Sequence, residues 1–211
     1  MAINRNGING HFSGKIGNVV GYDFMGQQVI RTIPKKRTSP PTPKELLNRQ
    51  KFAASQYWLE PLTDFLRIGF KDYRPTFQGF VAAKSYNQKN ALVYKQDEGF
   101  SIDPALALVS FGTQPLPLSA EAIANQNQEV VINWSTEAPA AYNDQTMLIA
   151  YDIQHRKVVY HTAAARRSAG TARLAFPKED EGKTYHFYLA FIADDRSTKS
   201  NSMYLGNLTI L

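Results

Sequence analysis

The chain has 211 residues, no cysteine, 24 Lys and Arg and 18 Asp and Glu, which gives a formal net charge of +6. This length suffices for one large domain or two small ones whose core needs no cross-links. Without cysteine the chain has no disulfide scaffold, thiolate metal site or cysteine nucleophile. No apolar run approaches the roughly 20 residues of a membrane span, and no signal-peptide pattern is present. We therefore expect a cytoplasmic or particle-associated protein without membrane contact.

The positive charge lies in the first half of the chain. Residues 1–99 contain fifteen Lys and Arg against seven Asp and Glu, whereas residues 100–211 contain nine against eleven. Seven basic residues between positions 31 and 51 accompany a single acid, Glu45, and form a candidate contact surface for anions or nucleic acid. They are Arg31, Lys35, Lys36, Arg37, Lys44, Arg49 and Lys51. The alternative interpretation is an ordinary solvated linker and helix face.

Glycines recur from Gly7 to Gly26 ahead of a β-branched run. Residues 16–22 and 27–33 predict the two strands of a hairpin, with a permissive glycine in the turn at residues 23–26.

The Gly14-Lys15 pair suggests a phosphate-binding loop. That loop requires a glycine where Asn9 stands and a hydroxyl residue where Ile16 stands, so nucleotide hydrolysis is not expected.

The clearest helix start follows a proline-rich connector. Thr42-Pro43-Lys44-Glu45 combines a capping box with proline at the first helical position. Apolar residues then recur every three or four positions as far as about residue 70, which predicts one amphipathic helix. Its predicted buried face contains Leu46, Ala53, Tyr57 and Trp58. The alternative role for Tyr57 and Trp58 is stacking on bases.

Two prolines set the expected limits of this helix. Pro61 is expected to kink or divide it, and Arg74-Pro75 to end it. Residues 76–97 predict a second, weaker helix or a mixed segment.

From about residue 100 the pattern changes to short strands separated by turn residues. The predicted strands cover residues 105–111, 130–134, 147–153, 157–161, 172–176, 185–192 and 203–210. Trp134 and Tyr185, the latter after Gly182-Lys183-Thr184, resemble the core tryptophan and the tyrosine corner of a fibronectin type III domain. This resemblance covers about residues 100–211 and implies an immunoglobulin-like β-sandwich, although no proline-rich first strand is recognisable.

We therefore predict an α+β fold with two regions. Residues 1–99 form a basic, glycine-rich hairpin plus a helical region, and residues 100–211 form the immunoglobulin-like (fibronectin III-type) antiparallel β-sandwich. Tyr188, Ala190 and Ile192 alternate with the inward side chains of one strand and are too apolar for a solvated face. The helix that begins at Thr42 is expected to cover them.

The front of the chain carries a second resemblance. Its segments Gly14-Lys15-Ile16-Gly17-Asn18-Val19-Val20-Gly21-Tyr22, Pro40-Pro41-Thr42-Pro43 and Asn48-Arg49-Gln50-Lys51-Phe52 are similar to the opening of an uncharacterised bacterial family, known only as a domain of unknown function. The resemblance extends over the whole chain and implies no activity.

The sequence shows no arrangement of residues typical of a catalytic, metal or cofactor site, such as His-Glu-x-x-His or Gly-x-Ser-x-Gly. We expect a non-enzymatic structural or protein-binding module that uses no cofactor. Its expected setting is a phage-like or other bacterial assembly, and its expected partner is a protein. The alternative is a weak nucleic-acid-binding protein that uses the basic residues of positions 31–51, and an enzyme ranks third.

Overall fold

The computed structural model describes residues 3–4, 10–24, 26–73, 78–96, 99–137 and 143–211. Its internal contacts divide the chain into two compact units, Met1–Thr42 and Pro43–Leu211. This division differs from the predicted one at residue 99. The reason is that the helices after Pro43 bury their apolar side chains against a sheet formed by later residues.

The first unit is an antiparallel meander in which the strands follow one another in chain order. These strands are β1 (Ile3–Asn4), β2 (Phe12–Ile16), β3 (Val19–Phe24) and β4 (Gln27–Thr32). The predicted hairpin is confirmed as β3 and β4. Gly17 and Asn18 form an additional turn inside the first predicted strand, with Gly17 at a φ of 55°. Met25 of the predicted turn lies outside the described residues.

The meander buries very little. Among its described residues only Gly21 is buried, because the ring of Phe12 lies over it. A Cβ at Gly21 would overlap the backbone oxygen of Phe12. The position therefore requires glycine for close approach.

The second unit begins with a helical segment from Pro43 to Gly69. It comprises α1 (Pro43–Leu59), a 3-10 turn (Glu60–Leu62) and α2 (Thr63–Gly69). The predicted start at Pro43 and the predicted division at Pro61 are confirmed. The helix is divided at Pro61 because proline lacks the backbone amide that a continuous helix needs there. The segment ends at Gly69, earlier than the predicted end at Arg74-Pro75, and these two residues themselves lie outside the described ones. A further helix, α3 (Gly79–Asn90), confirms the second helical prediction.

A hairpin and a loop connect the helices to the remaining strands. The hairpin pairs β5 (Leu92–Lys95) with β6 (Gly99–Ile102). The predicted strand at residues 105–111 is wrong. The Leu108 amide donates to Asn87 Oδ1 at 2.9 Å and the Val109 amide to Ser202 Oγ at 2.9 Å, so side chains replace a strand partner.

Seven strands then form two antiparallel sheets. They are β7 (Ala120–Asn125), β8 (Glu129–Trp134), β9 (Gln145–Asp152), β10 (Lys157–His161), β11 (Thr171–Ala175), β12 (Thr184–Ile192) and β13 (Met203–Thr209). One sheet has the order β11-β8-β7 and the other the order β10-β9-β12-β13. Six of the seven predicted strands are confirmed, and β7 takes the place of the wrong one.

The second of these sheets is apolar on both faces. Phe187, Leu189 and Phe191 of β12 share one core with the three-stranded sheet, including Ile132 and Trp134. The alternate residues of the same strand share a second core with the helices. This second set contains Tyr188, Ala190 and Ile192, with Trp58, Leu62, Phe65 and Leu66 from the helical segment. The predicted α+β arrangement, with a helix covering the sheet, is therefore confirmed.

The buried face of α1 differs in part from the prediction. Trp58 is buried and its carbonyl accepts a hydrogen bond from Tyr151 Oη at 3.0 Å. Leu46 and Tyr57 are instead 46% and 55% exposed, and Ala53 is exposed as well. They lie on the helix face opposite Ser55 and Leu59, which are buried. The helix thus carries apolar side chains on both faces, and only one face contacts the sheet.

Tyr185 is fully buried, as predicted. Its hydroxyl has no hydrogen-bond partner among the described residues, so the expected bond to a backbone group is not present there. Burial raises the pKa of this phenol, and the neighbouring carboxylate of Asp180 raises it further.

Candidate functional site

The seven predicted basic residues are distributed over both units. Four lie in the first unit, where all are exposed: Arg31, Lys35, Lys36 and Arg37. Three lie on α1 in the second unit: Lys44, Arg49 and Lys51. Each group therefore has its own local surroundings, which determine what it can bind.

In the first unit, strand register places Arg31 on the same face as Lys15, which was not among the predicted site residues. Lys15 pairs with Val20, and Val20 pairs with Arg31, so the two basic side chains lie on one face of the sheet. The Arg31 guanidinium lies 5.6 Å from the ring centre of Tyr22 on the same face. Lys35 lines a cleft of about 630 Å³ together with Lys15.

The other two predicted basic residues of this unit, Lys36 and Arg37, lie in the proline-rich connector. Lys36 is exposed. The Arg37 guanidinium donates from Nε to Ser39 Oγ at 3.2 Å and from Nη2 to the Pro40 carbonyl at 2.9 Å. Arg37 therefore stabilises the local path of the connector.

In the second unit, Lys44 and Lys51 are seven positions apart on α1 and so share a face of the helix, whereas Arg49 lies on a different face. The Lys51 ammonium is 5.2 Å from the ring centre of Phe100. Arg49 lines a separate cleft with Phe52. These three residues do not form one continuous basic stripe.

One buried carboxylate of the second unit is paired with two lysines. The Asp180 carboxylate is fully buried and lies 2.8 Å from Lys157 Nζ and 2.9 Å from Lys183 Nζ. Burial alone raises the pKa of Asp180, but the hydrogen bonds from the two lysines hold it below its usual value. This cluster ties β10 to the loop before β12.

A second buried pair joins Arg167 and Asp144, with 4.0 Å between Nη1 and Oδ2. The guanidinium also lies 4.1 Å from the ring centre of Phe191. Burial raises the pKa of Asp144, and the charge of Arg167 opposes that change. The arrangement is that of an ion pair anchored on the sandwich core.

Lys84 is the most deeply placed lysine of the helical layer. Its ammonium lies 3.0 Å from the ring centre of Phe52 and donates to Gln56 Oε1 at 2.7 Å. Burial lowers its pKa. Because both contacts are local to α1 and α3, this lysine connects the two helices.

The histidines have separate partners. His155 Nδ1 contacts Asp152 Oδ2 at 2.6 Å, and His186 Nδ1 contacts Tyr204 Oη at 2.8 Å. Burial lowers the pKa of His186. Within the ranges that the structure describes, no three His, Asp or Glu side chains come together as metal ligands.

Three residues of this part of the meander were not among the predicted site residues: Lys15, Tyr22 and Phe24. Strand alternation and strand register together identify these residues. Lys15 shares a face with Tyr22 and Arg31 only because β2 pairs with β3 in this register. The unrecognised turn at Gly17-Asn18 concealed that pairing.

None of the helices in the described ranges combines the length and hydropathy needed to cross a bilayer. The chain matches no protein of curated function. It does match a family model over residues 11–206, which spans both units. The resemblance noted at the front of the chain is thereby confirmed, and the protein belongs to the Family of unknown function (DUF6266).

Proposed function

We propose that this protein is a non-enzymatic structural module that assembles with copies of itself through one face of its N-terminal meander. We call this surface the apolar face. Ile16 pairs with Val19, and Ile30 pairs with Gly21, so these side chains share it. Ile16 is 51% exposed and Ile30 is 59% exposed. The observation that carries the proposal is this pair of exposed isoleucines on a sheet with almost no core.

A sheet of this size requires a covering layer. Small antiparallel sheets gain stability by burying one apolar face against another element. Here only Gly21 is buried among the described residues of the meander. Covering Ile16, Val19 and Ile30 would remove their side chains from water and stabilise the sheet by about 25 cal/mol per Å² buried.

Charge supports a second copy as the covering surface. Lys15 and Arg31 lie on the other face, so two apolar faces can meet without bringing these cations together. The acid on the apolar face, Asp23, has His11 Nε2 at 3.5 Å as a neighbour. Symmetric pairing through the same surface is the commonest form of protein oligomer. A phage-like or other bacterial assembly, which requires repeated contacts between copies, is the setting that we propose.

The second unit supports a structural role in this proposal. Its strand orders, β11-β8-β7 and β10-β9-β12-β13, support the assignment of a fibronectin type III-like sandwich. Domains of this architecture present loops and edges to partners. We propose that this unit is the rigid body that each copy contributes to the assembly.

The test is the oligomeric state of the full chain, measured by sedimentation equilibrium over a range of concentrations. We expect self-association in the unmodified protein and its loss in Ile30→Lys, which places a charge on the apolar face. Gln27→Lys is the matched control, because Gln27 lies on the same strand but pairs with Phe24 on the other face. A protein that stays monomeric at every concentration, or an Ile30→Lys variant that associates normally, would contradict the proposal.

A further inference from the structure

We infer that the other face of the N-terminal meander binds single-stranded nucleic acid. We call this surface the cationic face. Its members follow from the pairs Lys15↔Val20, Val20↔Arg31, Tyr22↔Val29 and Phe24↔Gln27. This inference goes beyond self-assembly and uses a different surface from the apolar face.

The cationic face combines two aromatic rings, the exposed Phe24 and the half-buried Tyr22, with positive charge. Tyr22 and Phe24 are two residues apart on β3, so their side chains emerge from the same face about 7 Å apart along the strand. Phe24 is 54% exposed, and the Arg31 guanidinium lies 5.6 Å from the Tyr22 ring centre. Rings on a sheet surface stack on unpaired bases, while adjacent cations contact the phosphates.

The charge of the unit favours a polyanion. Residues 1–42 contain six Lys and Arg and a single acid, Asp23. Asp23 pairs with Gln28, so it belongs to the apolar face and not to the cationic one. Lys35 adds a further cation at the cleft that it shares with Lys15. No carboxylate of this unit therefore opposes a phosphate chain on the cationic face.

The exposed ring of Phe24 distinguishes among polyanions. An acidic protein surface would engage the cations but gain little from Phe24. The bases of a duplex are already stacked and unavailable to the rings. A single strand offers both phosphates and free base faces, which matches the two kinds of side chain present.

The interface thus differs from the predicted one. Of the seven basic residues of positions 31–51, Arg31 and Lys35 belong to it, and Lys15 joins them.

Three phosphate contacts predict a slope of log affinity against log salt of about −2, from about −0.7 per phosphate for single strands. We expect dissociation constants on the order of 10⁻⁵ M at physiological salt, as for other charge-driven contacts.

The experiment is a fluorescence-anisotropy titration of the full chain with a labelled oligothymidine and with a duplex of equal length. We expect tighter binding to the single strand and a loss of about tenfold in Phe24→Ala, the size of one stacking contact. Tyr94→Ala is the aromatic control, because this ring is 65% exposed on β5 of the second unit. Lys15→Gln is expected to reduce the salt slope by about 0.7, and the exposed Lys71→Gln to leave it unchanged.

Three results would overturn the inference. One is no binding at low salt, and another is equal affinity for duplex and single strand. The third is that polyglutamate competes for the protein as well as an unlabelled oligonucleotide does, while Phe24→Ala binds the oligonucleotide with unchanged affinity. That result would indicate an acidic protein partner. Phe24 lies off the apolar face, so Phe24→Ala should keep the oligomeric state of the unmodified protein. Failure of this inference is therefore distinguishable from failure of the proposed self-association.

Discussion

The two units of this protein use apolar residues in opposite ways. In Pro43–Leu211 the β9 and β12 strands contribute to two cores, and side chains such as Leu62 and Phe187 are almost completely buried. In Met1–Thr42 a sheet of comparable strand length leaves Ile16, Phe24 and Ile30 more than half exposed. The comparison shows that regular backbone pairing alone does not produce a core. A stable fold requires a second layer; the larger unit contains one within itself, and the described part of the meander does not.

The largest expected effect comes from the sandwich core. Phe187→Ala should lower the free energy of unfolding by about 3–5 kcal/mol, because the cavity left by a fully buried ring cannot collapse completely. Chemical denaturation followed by circular dichroism measures this loss. The matched control is Phe24→Ala in the meander, which should change the same transition by less than about 0.5 kcal/mol. Equal losses in the two variants would contradict the difference between the units.

The helical layer should respond as part of the same cooperative unit. Leu62 lies in the 3-10 turn and contributes to the core on the other side of β12. Leu62→Ala should cost about 2–5 kcal/mol. It should also shift the same single transition as Phe187→Ala, because both cores share one sheet. Two separate transitions in differential scanning calorimetry, each sensitive to one variant, would show that the layers fold independently.

An intermediate effect is expected at Asp180. Asp180→Asn should cost about 1.5–3 kcal/mol, the range for hydrogen bonds to charged groups. The pKa of Asp180 is lowered in the folded state, so its ionised carboxylate contributes to stability above about pH 4. This contribution is lost as the pH falls through the pKa of the folded state. Below about pH 4 the unmodified protein should therefore lose stability more steeply than the variant.

The control for this prediction is Glu179→Gln. Glu179 also contacts Lys157, but its side chain is 72% exposed, so its removal should cost less than about 1 kcal/mol. Parallel stability–pH curves for the unmodified protein and Asp180→Asn would refute the proposed role of the buried carboxylate.

The smallest effect on the main transition is expected from the meander. Gly21→Ala places a methyl group against the backbone oxygen of Phe12, so pairing of β2 with β3 should be lost. Hydrogen exchange of the amides in β2 and β3 should then become rapid. The unfolding free energy of the larger unit should change by less than about 0.5 kcal/mol. Protected amides in β2 and β3 of the variant would show that the sheet tolerates the added methyl group.

Much of the larger unit could be predicted from its sequence. The strands from residues 129 to 209 alternate or run continuously apolar between clear turn residues, and the capping box at Thr42 marks the start of α1. The helical period did not identify the buried face of α1, because two sets of apolar side chains fit the same period. Leu46 and Tyr57 repeat with the helical period as regularly as Trp58 does, and the period alone does not say which stripe meets the sheet.

Two other errors have a common physical cause. Residues 105–111 resemble a strand, yet the amides of Leu108 and Val109 bond to Asn87 and Ser202, which are distant in the sequence. Lys15 was missed because its neighbours on the sheet are set by register. Both errors arise because the structure at these positions depends on pairing between residues that are distant in the sequence. The order of neighbouring residues carries no information about that pairing.

The β12 strand restricts how sequences of this type can vary. In an ordinary sandwich strand every second position faces water and accepts polar substitutions. Here residues 187–192 are all buried, alternately in one core and in the other. A charged residue at any of these six positions would be buried without a partner. Related chains that keep the helical layer should therefore show an unbroken apolar run at this strand, whereas a plain sandwich of similar length should show alternation.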